Sequence, residues 1–184
     1  MAAETPVCDF GRRAVDFDLK GVDGKRYRLA DISGPKGTLV MFICNHCPYV
    51  RAIIDRLVGE VGELQAHGVG GVAIMSNDVS SYPEDSFDKM KEFARQHNFV
   101  FPYVIDETQA VAQAYGAVCT PDFFGFNASL ELQYRGRMDA SRRELVAGAR
   151  RELFEAMTAI GATGQGPRDQ TPSMGCSIKW RQAA

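Results

Sequence analysis

The five residues Cys44-Asn45-His46-Cys47-Pro48 constrain this chain more than any other stretch. They follow the apolar run Thr38-Leu39-Val40-Met41-Phe42-Ile43 and precede an amphipathic helical pattern that begins near Tyr49. Two thiols three positions apart, where a strand hands over to a helix, can close a small disulfide ring and present a sulfur to the positive end of that helix. The same spacing also serves as half of a zinc site, and cysteine pairs are also simply packed as small core residues. Zinc normally takes two further Cys or His ligands at recognisable intervals, and here no second Cys-x-x-Cys and no His-x-x-x-His occurs. Cys8, Cys119 and Cys176 are scattered, and His46, His67 and His97 lie far apart in sequence. The residues favour a redox dithiol, with no resident metal and no cofactor.

A chain of 184 residues, 45% hydrophobic and with a formal charge of −2, is long enough for one globular domain with a sizeable core. No basic stripe provides an electrostatic footprint for a phosphate backbone, so nucleic acid is not an expected partner. Met1 to Lys20 contain no apolar run like the core of a signal peptide, and no later stretch approaches a membrane span. A cytoplasmic location without membrane association is the expectation. In a reducing compartment a dithiol is catalytic rather than structural, and with five cysteines at least one stays unpaired within a monomer.

Strands and helices alternate along the chain. Phe17-Asp18-Leu19 and Lys25 to Leu29 flank Asp23-Gly24, a hairpin turn signal. The buried-type strand ending at Cys44 is followed by Ile53, Ile54, Leu57, Val58, Val61 and Leu64 at helical spacing, then by a second buried strand over Val69 to Met75. Phe87, Met90, Phe93 and Ala94 mark another helix, Thr108 to Tyr115 a short one stopped by Gly116, and Phe123 to Phe126 with Leu130 to Tyr134 a hairpin. The last helix is predicted to start at a Ser141/Glu144 capping box, to carry Leu145, Ala149, Leu153, Ala156, Met157 and Ile160 as its stripe, and to stop at Gly161. This order argues for an α/β domain with a central sheet covered on both faces.

Several segments, taken in order, carry a resemblance. They are Phe17-Asp18-Leu19 with Asp23-Gly24-Lys25, the strand into Cys44, Asp106-Glu107-Thr108 before Tyr115-Gly116, Thr120-Pro121, Tyr134 to Asp139, and the tail Gly175-Cys176-Ser177-Ile178-Lys179-Trp180. Over roughly residues 14 to 160 the chain resembles the thioredoxin superfamily, most closely its peroxiredoxin-like and thioredoxin-like (AhpC/TSA-type) redoxins. The resemblance implies a thioredoxin-like fold over residues 1–160: a central mixed β-sheet with helices on both faces and an N-terminal β-hairpin. Residues 161–184 then form an ordered C-terminal extension packed on the domain. It also implies that Thr120-Pro121 is a cis-proline loop beside the dithiol, with Thr120 docking an incoming peptide.

Departures from the family pattern bear on the reaction. A peroxidatic site reads Pro-x-x-x-Thr/Ser-x-x-Cys; with Cys47 in the cysteine place, Cys44 replaces the hydroxyl residue and Val40 the proline. Asp122 stands where a second family arginine is expected, which leaves Arg51 or Arg137 to supply a guanidinium. Reduction of protein or small-molecule disulfides is therefore the first expectation, with an upstream dithiol reductant as the second partner. Thiol peroxidase activity is the alternative. A third reading has Cys44, Cys47 and either His46 or Cys119 holding soft Cu(I).

In the expected mechanism Cys44, exposed at the helix mouth, attacks, Cys47 resolves, and His46 tunes the potential. Cys119 lies two residues from Pro121 and either reaches the dithiol or faces away from it. Cys176 is either a resolving thiol or a packed one. Ile178 and Trp180, the only tryptophan, are expected to dock the tail on the body near the active site, or across a neighbouring subunit in a homodimer.

Overall fold

The computed structural model describes residues 1–182. In chain order it contains β1 (Ala2–Glu4), β2 (Asp18–Gly21), β3 (Arg26–Arg28), α1 (Leu29–Ile32), β4 (Gly37–Phe42), α2 (Pro48–Arg51), α3 (Ile54–Ala66) and β5 (Val69–Met75). There follow α4 (Phe87–Gln96), β6 (Tyr103–Ile105), α5 (Ala110–Tyr115), β7 (Cys119–Thr120), β8 (Asp122–Phe126), β9 (Leu132–Tyr134), α6 (Glu152–Thr163) and β10 (Met174–Ser177).

Seven strands form one mixed sheet in the order β3-β2-β6-β5-β4-β8-β9. β4, β5 and β6 run parallel, and the remaining pairs are antiparallel. All six residues of β4 are buried because helices cover both sides of this central strand, which is why its sequence is apolar throughout rather than alternating. Leu39, Met41 and Ile43 enter one core with α3, α4 and α6, while Val40 and Phe42 enter the other with α1 and α5. The fold is thioredoxin-like, and the Asp23-Gly24 turn joins β2 and β3 as the sequence predicts, with Gly24 at φ 85°.

The C-terminal third departs from expectation at both of its ends. Ser141 and Glu144 do not cap a helix: α6 begins at Glu152, passes through Gly161 and ends at Thr163, capped by Gly164, whose φ of 76° suits a left-handed cap. The apolar spacing extends back to Leu145 and Ala149, but no surface lies beneath them; Leu145 is 56% and Val146 43% exposed, and Gly148 at φ 68° turns the chain. Ser141 instead accepts a hydrogen bond from the Val146 N–H and contacts Arg56.

Beyond α6 the chain, irregular by composition, regains a strand. β10 lies between β1 and β7 in a second, three-stranded antiparallel sheet, with Cys176 opposite Thr120 and Ser177 opposite Cys119. Ile178 is buried in the core as expected, whereas Trp180 is 40% exposed. The tail is tied at both ends instead by polar bonds: Ser173 to Thr5 and to the Pro121 carbonyl, and Lys179 to Asn77, Asp78 and Gln109.

Candidate active site

β4 delivers the dithiol to the sheet's end, and the loop Cys44–Cys47 leads directly into α2, with Cys47 at its N-cap and Pro48 at its first position. The Thr120–Pro121 peptide bond is cis, and Thr120 faces both sulfurs. Cys44 Sγ lies 3.4 Å from the Thr120 hydroxyl, and the Cys47 thiol donates to the Thr120 carbonyl at 3.1 Å.

Asp85, wholly buried, organises the loop between the cysteines. It accepts from the Asn45 N–H at 2.8 Å, from the Asn77 side-chain amide at 2.8 Å and from His46 Nδ1 at 2.7 Å. Asn45 is held in turn by the Tyr103 hydroxyl, by the Glu84 carbonyl and, at its own carbonyl, by Arg51 Nε. The His46 ring stacks on Tyr82, centroids 5.6 Å apart, and its Nδ1 is 3.9 Å from Cys44 Sγ.

The electrostatics follow from this packing. Hydrogen bonding to Asp85 raises the pKa of His46 against the opposing effect of burial. Burial pushes the Asp85 carboxyl up, but the bonds from His46 and Asn77 outweigh it and its pKa is lowered. The two thiols shift each other's ionisation in opposite directions. Cys47 is pulled down to about 5, first by the hydrogen bond from Cys44, then against burial by Thr120 and Cys176; the Thr120 carbonyl, which accepts only from the protonated thiol, works against that ionisation. Cys44 is raised well above the ordinary thiol value by its bond to Cys47, by burial and by the nearby Asp85 carboxylate. The pair can therefore hold one thiolate near neutrality.

Two sequence expectations change here. Neither sulfur is exposed: Cys44 and Cys47 both have 0% accessible surface, and Met174 and Cys176 of β10 pack against the cluster that contains them. The N-cap is Cys47 rather than Cys44, and the pKa of Cys47 is lowered while that of Cys44 is raised.

Residues 10–140 match the AhpC/TSA family. The chain belongs to the AhpC/TSA family. A crystal structure of an uncharacterised conserved protein from Geobacillus kaustophilus is 42% identical, covers 100% of this chain and 98% of its own, and superposes with a TM-score of 0.94. A thiol-disulfide oxidoreductase ResA from Halalkalibacterium halodurans is 28% identical over 114 residues, 62% of this chain; the chain spans 60% of that relative's length. A secreted Mycobacterium tuberculosis disulfide oxidoreductase, 17% identical and covering 78% of this chain and 95% of its own, shares the fold with a TM-score of 0.61.

The structure brings Cys44, Cys47, His46, Thr120, Pro121 and Cys176 together, with Arg51 bound to the loop between the cysteines and Arg137 and Cys119 engaged with other groups. Arg51 bonds the Asn45 carbonyl, Arg137 is paired with Glu152 at 2.7 Å, and Arg135 is paired with the buried Asp122 at 3.0 Å. Among the described residues, no arginine bonds either sulfur of the dithiol. Cys119 is fully buried with its thiol on the Pro121 carbonyl at 3.6 Å, and burial raises its pKa.

Sequence reasoning missed Asp85, Asn77, Tyr82 and Tyr103. Asp85 sits in a one-turn 3-10 helix, Pro83–Asp85, far along the chain from His46, and no spacing rule connects them. As for metals, ligand atoms of Cys44, His46 and Asp85 lie within 4.8 Å of one another. That set, one sulfur, one nitrogen and one oxygen, is harder than the donors Cu(I) selects, and Cys119 is not part of it.

Proposed function

We propose that this protein is a thiol-disulfide oxidoreductase whose Cys44/Cys47 dithiol reduces substrate disulfides. The observation that carries the reading is the convergence of both sulfurs on Thr120 at the cis-proline loop, 3.4 Å from its hydroxyl and 3.1 Å from its carbonyl. In this reading the Cys47 thiolate attacks a disulfide, giving a mixed disulfide and releasing one substrate thiolate. Cys44 then displaces the second substrate sulfur and closes the Cys44–Cys47 bond. Two electrons pass to the substrate, and an upstream dithiol returns them. His46, held by Asp85 beside the pair, favours the thiolate and so makes the disulfide a better oxidant.

A second reading, thiol peroxidase, is favoured by the family match and by the low pKa of Cys47 in the peroxidatic place. Against it stand Cys44 in the hydroxyl place and the pairing of Arg51, Arg135 and Arg137 with other groups. Insulin reduction and peroxide consumption, measured on wild type, Cys44→Ser and Cys47→Ser, separate the two. Disulfide reduction lost in both variants supports exchange, whereas peroxide consumption that survives in Cys44→Ser without disulfide reduction replaces it with the peroxidase reading.

A further inference from the structure

The strand that covers the dithiol carries its own cysteine, and its position is set by the backbone. Cys176 pairs in register with Thr120, the residue that faces both active-site sulfurs. The approach is so close that a Cβ on Gly175 would stand 1.9 Å from the Thr120 carbonyl oxygen, so only glycine lets β10 sit there. Ser173 donates to the Pro121 carbonyl at 2.7 Å on one side, and the Ile178 N–H donates to the Val118 carbonyl at 3.1 Å on the other. β10 thus fills the edge where an extended peptide would add a strand. Cys176 packs on the cluster that holds Cys44 and Cys47, and, directly opposite Thr120 across the antiparallel pair, its side chain stands on the same side of the sheet as Thr120's. Unlike either of those two cysteines it is only partly buried.

We infer that Cys176 is a third redox thiol, an internal exchange partner that carries the disulfide from the buried dithiol to the surface of the protein. The inference rests on the reading of Cys44/Cys47 as a redox dithiol. In the first step the Cys176 sulfur attacks Cys47 in the Cys44–Cys47 bond; the Cys47–Cys176 bond forms, the Cys44–Cys47 bond breaks, and Cys44 leaves with the bonding pair and takes up the proton that Cys176 gives up. No electrons enter or leave the protein in that step. In the second step one thiolate of an external dithiol reductant attacks the partly exposed Cys176 sulfur and expels Cys47 as a thiolate. The second thiol of the reductant then releases Cys176 and leaves as a cyclic disulfide, returning all three protein thiols. Cys47 suits the leaving role because its thiolate is the most stable of the three.

The test is disulfide mapping of the full-length protein. Tryptic cleavage puts Cys44 and Cys47 in one peptide, residues 37–51, and Cys176 in another, residues 169–179. Wild type, Cys44→Ser, Cys47→Ser and Cys176→Ser are oxidised with diamide, the free thiols are blocked with N-ethylmaleimide, and the peptides are read by mass. The expected result is a 37–51/169–179 cross-link that accumulates in Cys44→Ser and is lost in Cys47→Ser and Cys176→Ser. An internal bond within 37–51 in wild type, with no cross-link there or in Cys44→Ser, overturns the inference and leaves the dithiol reading standing. A cross-link that persists in Cys47→Ser overturns the assignment of Cys47 as the partner. Absence of any disulfide in wild type overturns the dithiol reading itself.

Discussion

Two irregular stretches of the C-terminal third behave in opposite ways. Residues 141–150 have the better helical pattern, yet they turn through solvent with Leu145 and Val146 exposed. Residues 171–181 look like a loop by composition, yet Ser173, Gly175 and Ile178 are buried and the backbone is bonded from Thr5 at one end to Gln109 at the other. Periodicity forms a helix only where a surface waits for the apolar stripe. An extended segment becomes ordered where unpaired backbone groups and buried side chains wait for it, and here those groups belong to the candidate active site.

Removing the second stretch is the severest way to break this contrast. Ending the chain after Gln170 deletes β10 and uncovers both sulfurs; alkylation of Cys47 by iodoacetamide should accelerate by about tenfold or more, and thermal stability should fall. Unchanged protection would mean that something else covers the dithiol. Gly175→Val is the point version: its side chain meets the Thr120 carbonyl, and a cost of about 3 kcal/mol is expected, a fall of about 6–12 °C in Tm. A midpoint within a degree or two of wild type would show that β10 does not lie this close to β7.

What lies beneath the strap can be sharpened by pH. The Cys47 thiol is depressed to about 5 from an ordinary value of 9.0, so the reduced protein gains stability as pH rises through that window and loses it as pH falls toward 5. Thiolate absorbance near 240 nm should titrate with a midpoint near 5 and disappear in Cys47→Ser; a midpoint above 8 contradicts the assignment. His46→Ala removes the imidazole from beside the dithiol and should make the disulfide more reducing by about 10–30 mV in a glutathione titration. An unmoved potential takes His46 out of the chemistry. The smallest effect belongs to the first stretch: Leu145→Ser should change stability by less than about 0.5 kcal/mol in urea unfolding, and a larger loss would mean that this side chain is packed after all.

How far the sequence could be read depends on the range of the interaction. The order of strands and helices, the hairpin at Asp23-Gly24 and the dithiol at the end of β4 rest on neighbours within a few residues, and each lies where the residues place it. The Asp85–His46 bond, the pairing of β1 with β10 and the seat of Cys176 opposite Thr120 join segments far apart in the chain. No local pattern announces them. The tail shows the division within a single motif: Ile178 is buried as an apolar residue suggests, but Trp180, the larger side chain, stays at the surface because Lys179 and Arg181 are held by polar bonds around it.

The account stands on reversible bonding between two buried sulfurs, and a redox equilibrium tests that most directly. Wild-type protein equilibrated across a series of reduced-to-oxidised dithiothreitol ratios and then alkylated should show Cys44 and Cys47 becoming protected together, in one two-electron transition. Both residues alkylated at every ratio, or only one of them ever protected, would contradict the account.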